Sequence, residues 1–76
     1  MKYIKMKMSN FFSEDEFLKI QSILPRWEFS KEYSDEEIDI FDEEIERMEQ
    51  LKGFESEDGR FLGDMINKFR NNPKYA

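Results

Sequence analysis

Two six-residue stretches share one grammar of an aromatic, a serine, three acids and an apolar residue: FSEDEF at 12–17 and YSDEEI at 33–38. Clustered carboxylates are the raw material of a hard-cation site or of a general acid–base pair. Behind the second cluster, Asp35, Asp39, Asp42, Glu46 and Glu49 recur at spacings of 4, 3, 4 and 3. At about 100° per residue those five project from one side of a helix, over about 21 Å of its length.

The rest of the chain gives such carboxylates little to work with chemically. It has no histidine and no cysteine, so the usual zinc sites, thiol nucleophiles and near-neutral bases are missing. A calcium loop centred on Gly59 would place its first and last ligands at Phe54 and Met65, neither of which can ligate calcium. Gly53, Gly59 and Gly63 do not form a phosphate-cradling loop. No nucleophile, base and oxyanion donor can be assembled by spacing, so the expectation is a non-enzyme with no cofactor and no metal.

Capping logic accounts for both clusters. Ser13 can accept from the amide of Glu16 while Glu16 reaches back to the amide of Ser13, with Phe12 and Phe17 as the flanking hydrophobic staple. Ser34 and Glu37 repeat this arrangement between Tyr33 and Ile38. Each cluster is then a helix start, and consecutive carboxylates there splay around the axis while favouring the positive end of the helix dipole.

Three helices follow from these starts. The first is expected at about 13–24, buries Phe17, Ile20 and Leu24, and is stopped by Pro25. The second, about 34–52, buries Ile38, Phe41, Ile45 and Met48, widened by Leu51, and ends at Gly53. The third, about 59–71, begins between Ser56 and Arg60, buries Phe61, Leu62, Met65, Ile66 and Phe69, and ends before Pro73. The alternation of Ile4, Met6 and Met8 with lysines, and of Trp27 and Phe29 with Arg26 and Glu28, suggests a short two-stranded element from 2–8 and 26–30. With no valine and no threonine, a large sheet is not expected. The fold class is therefore mainly α: a small three-helix single domain spanning 1–76. Eight Phe, five Met and Trp27 give it the apolar volume for a core despite 39% charged residues.

Charge is unevenly distributed. The net charge is −6, yet residues 34–58 hold twelve acids against only Arg47 and Lys52, while 1–9 and 59–76 are basic. Asp39, Asp42 and Glu46 have no basic residue three or four positions away, although a solvated helix gains from mixed signs at that spacing. These three are expected to face solvent, and their mutual repulsion calls for a compensating cation from the protein's own basic ends or from a partner. A row of negative charges several ångströms apart resembles a phosphate backbone. The favoured partner is thus a protein with a basic surface, such as a nuclease or another nucleic-acid-binding enzyme. Trp27, Tyr33 and Ile40 are the candidate apolar anchors beside the acidic stripe.

SNFFSEDEFLKI, then SDEEIDIFDEEIERME, then FLGDMINKFRNN is similar in helix order and acidity to the colicin-DNase immunity proteins. That family's short tyrosine-rich third helix has no counterpart in GFESEDGR, and no binding residues are carried over. The resemblance implies an immunity-type role; a phage-encoded inhibitor of a host or defence enzyme fits the same features. Two alternatives compete. In one, a three-helix nucleic-acid binder uses Asn67, Lys68, Arg70, Asn71 and Lys74 of the third helix, although the acidic middle of the chain disfavours direct nucleic-acid binding. In the other, a structural module self-associates as a homodimer. MKYIKMKM lacks the apolar run of a signal peptide and no stretch reaches membrane-span length, so the expected location is cytoplasmic, with no membrane partner.

Overall fold

A computed structural model describes residues 5–73. It is mainly helical, with strand β1 (Met6–Lys7), a 3-10 turn (Met8–Asn10), helix α1 (Glu14–Ile23), strand β2 (Glu32–Tyr33), helix α2 (Asp35–Lys52) and helix α3 (Glu57–Arg70).

Both expected helix starts form capping boxes. Ser13 Oγ accepts from the Glu16 amide at 3.2 Å, and Glu16 Oε1 accepts from the Ser13 amide at 2.8 Å. Ser34 and Glu37 reproduce this at 3.3 and 3.0 Å. Ser56 caps α3, accepting from the Gly59 amide at 2.9 Å. Helix α2 stops where Gly53 takes a φ of 89°, a conformation that side-chain-bearing residues rarely adopt.

The short antiparallel sheet is present, but its second strand is displaced from the expected 26–30. Met6 faces Tyr33 and Lys7 faces Glu32. The alternation at 26–30 is real in burial, with Trp27 inside and Arg26 and Glu28 outside, yet this segment is a loop. Its path is set by Trp27, whose amide donates to the Leu24 carbonyl, and by the Tyr33 hydroxyl, which accepts from the Glu28 amide at 2.8 Å. That bond folds 28–33 back on itself, so the ladder forms only after the turn. Residues 2–4 of the expected first strand lie outside the described residues.

The core is a single cluster whose centre is aromatic. The Phe41 ring meets Phe69 edge-on at 5.4 Å and Trp27 edge-on at 5.3 Å, and Phe12 stacks on Phe69 at 6.0 Å. Such pairs add about 0.5–1.5 kcal/mol each beyond area burial. Helix α2 contributes Ile38, Phe41 and Ile45, and α3 contributes Leu62, Met65, Ile66 and Phe69. Met48 is half-buried and Leu51 is 72% exposed. Leu51 therefore does not widen the buried stripe, since it projects about 100° from its centre.

Candidate functional site

Helix α2 carries all five residues of the acidic stripe, and the structure divides them into three groups. Asp35 and Asp39 are exposed, with no ion pair among the described residues. Asp42 and Glu46 take the guanidinium of Arg70, the last residue of α3. Its Nε and one terminal nitrogen donate to Asp42 Oδ1 at 3.1 and 2.8 Å, and the same terminal nitrogen reaches Glu46 Oε2 at 3.0 Å. Glu49 is half-buried, and its carboxylate lies against Gly63 of α3. The expectation that Asp39, Asp42 and Glu46 all face solvent thus holds fully for Asp39 alone.

This arrangement follows from the helix geometry. The stripe sits beside the buried face of α2, on the flank that α3 packs against. Its C-terminal half therefore meets α3, whereas Asp35 and Asp39 lie beyond the last turn of that helix. The compensating cation comes from within the protein for the middle of the stripe. The hydrogen bonds that Arg70 donates to Asp42, then to Glu46, hold its guanidinium even more firmly protonated than usual.

Of the three candidate apolar anchors, only Ile40 is at the surface, 41% exposed. Trp27 and Tyr33 are core residues, 1% and 3% exposed, and cannot anchor a partner. Their rings pack edge-on at 5.0 Å, and both polar tips are used internally: the indole by Glu44 and the hydroxyl by the Glu28 amide. Ile40 stands between Glu36 and Glu43, one turn away on either side. Both are exposed, and neither has an ion pair among the described residues. Glu36 and Glu43 complete a surface that the five-residue stripe only partly describes. An i±3/i±4 survey around Ile40, the one apolar residue off the core stripe in the first half of this helix, would have found them.

Two further acids hold parts of the fold together. Glu16 serves its capping box and accepts from Lys68 Nζ at 2.7 Å, and Glu44 accepts from Arg26 at 2.9 Å. Lys68 and Arg70, two of the basic residues that a groove-reading third helix would need, are engaged in these intramolecular pairs; Lys74 lies outside the described residues. Among the described residues there is no group of three or more potential metal ligands, and no helix is long and apolar enough to cross a membrane. No family model matches the chain, and neither a curated protein nor a solved structure matches it.

Proposed function

We propose that this protein is a small non-enzymatic binding protein that docks the N-terminal half of α2 on a basic surface of a protein partner. The observation that carries this reading is Ile40, exposed between Glu36 and Glu43 and beside Asp39. An apolar anchor framed by carboxylates is the composition of a docking face: the charges speed and select association, and the anchor supplies affinity. Like charges stacked on one helix face cost a few tenths of a kcal/mol per pair, and a cationic partner would convert that cost into attraction. The partner class favoured by a row of carboxylates is a nucleic-acid-binding protein, whose basic surface normally meets phosphates. The role is then inhibition of a nuclease or similar enzyme, as an immunity-type or phage-encoded inhibitor.

The test is a double reversal, Asp39→Lys with Glu43→Lys, alongside Ile40→Ala. These positions avoid the Arg70 ion pairs, so the helical circular dichroism should be retained. Wild-type protein immobilised as bait should retain nucleic-acid-binding proteins from the producing host, and both variants should lose them. Equal retention by wild type and double reversal would overturn the docking face. A gel shift of duplex DNA by the wild type at low salt would favour direct nucleic-acid binding instead.

A further inference from the structure

The turn from α2 into α3 displays the two most exposed large apolar side chains among the described residues, Leu51 at 72% and Phe54 at 67%. Scattered surface apolar residues are ordinary, but these two stand together on a braced support. The Gly53 amide donates to the Glu49 carbonyl at 3.0 Å, and the Gly53 carbonyl receives the amide and the hydroxyl of Ser56 at 3.1 and 2.9 Å. Phe54 sits inside that closed turn, so its backbone has little freedom left to lose on binding. Half-buried Met48, one turn before Leu51 on α2, carries the apolar surface back to the core.

Charge decides what can cover this tip. Ile40 lies among residues 35–46, which hold eight acids and no base, so two copies brought together there repel. Residues 47–60 hold three bases against four acids, and the tip is nearly neutral. Arg47, on the same face of α2 as Leu51, Glu55 beside Phe54, and Arg60 in the first turn of α3 are exposed and have no ion pair among the described residues. A two-fold contact sets one patch against its own copy, so that each residue meets its partner twice. Leu51 and Phe54 then cover their counterparts, and the arginines of each copy are available to Glu55 of the other. We infer that the tip is a self-association surface whose partner is a second copy of this chain. It is separate from the face proposed above and leaves the first half of α2 free in both copies.

Sedimentation equilibrium of the full chain from about 10 μM to about 1 mM covers the dissociation constants of a small, weak interface. The mass should rise from that of one chain towards that of two. The Leu51→Gln, Phe54→Ser double variant should raise the dissociation constant about tenfold or more, because a few central side chains carry most of a contact. Leu18→Gln makes the same kind of change at an exposed position of α1 and should shift it less than about twofold. A wild type that remains a single chain throughout, a double variant that dimerises like it, or an equal loss from Leu18→Gln would overturn the inference. Should the double variant lose its helical signal, Glu55→Lys decides. It lowers the net negative charge, which by itself eases self-association, yet gathers like charges at the contact and must weaken the dimer at least about threefold. A dimer left unchanged or made tighter overturns the inference. Flotation with phosphatidylcholine vesicles is the second arm: a single-chain wild type that floats, with a double variant that does not, would assign the tip to a lipid surface and overturn the dimer.

Discussion

The indole nitrogen of Trp27 donates to Glu44 Oε1 at 2.9 Å, and this bond ties the loop after α1 to the middle of α2. Arg26 completes the clamp, donating to Glu44 Oε2 at 2.9 Å while its guanidinium lies 4.6 Å from the centre of the Trp27 ring. Gln21 Nε2 holds the Trp27 carbonyl at 3.1 Å from the other side. A single carboxylate thus satisfies a core tryptophan and a surface arginine together.

Glu44→Ala should strand the indole N–H of a side chain that is 1% exposed, with an expected loss of about 1–3 kcal/mol. Glu44→Gln keeps an oxygen acceptor for the indole and should lose less than half of that. Urea unfolding followed by fluorescence of the sole tryptophan measures both. An alanine variant as stable as wild type would show that the clamp contributes nothing.

Acid should loosen the contact between α1 and α3 through Glu16. Its carboxyl is held below the ordinary glutamate range, first by the Lys68 hydrogen bond and then by the Ser13 amide. A carboxyl whose folded pKa is depressed contributes stability that is fully present above its unfolded value, about 4.3, and that is lost as pH falls through the lower folded value. Glu37 shifts in the same direction through the Ser34 amide. Glu16→Gln should therefore be less stable than wild type at pH 7 and converge on it in acid. Denaturation midpoints at pH 7 and pH 3 give the comparison, and parallel curves would exclude Glu16 as a source of the acid response.

Two glycines of α3 should respond oppositely to alanine. At Gly63 the added methyl would meet only the flexible end of Glu49, whose Oε2 lies 2.6 Å from the Cβ position. That carboxylate can swing away, so Gly63→Ala should stabilise α3 by up to about 1 kcal/mol. At Gly59 the methyl would fall on the backbone carbonyl of Gly53, the same oxygen that receives the Ser56 amide at 3.1 Å and the Ser56 hydroxyl at 2.9 Å. Backbone held this way cannot give, and Gly59→Ala should cost about 1–3 kcal/mol. Thermal melts of the two variants should move in opposite directions, and a shared direction would refute this account of the turn.

The amino-acid sequence by itself determined where α1 and α2 begin, where α2 ends and which faces of the helices are buried. Those features rest on interactions three or four residues apart, as in Ser13 with Glu16 and Ser34 with Glu37, and on the period of the apolar residues. It also placed the five acids of the stripe on one side of α2, because angular position along a helix is fixed by spacing alone. Which of those acids remain open was decided by α3, through Arg70, whose partners lie 28 and 24 residues away in sequence, and through Gly63, against which Glu49 lies. The same holds for Trp27 and Tyr33. Their types suit an interface as well as a core, and only the return of the chain past Glu44 and Glu28 put them inside. The strand moved from 26–30 to 32–33 for that reason: a two-residue ladder is too weak to position itself and forms where the packed aromatics leave the backbone. Local spacing set the elements, and contacts distant in sequence set which surfaces they leave exposed.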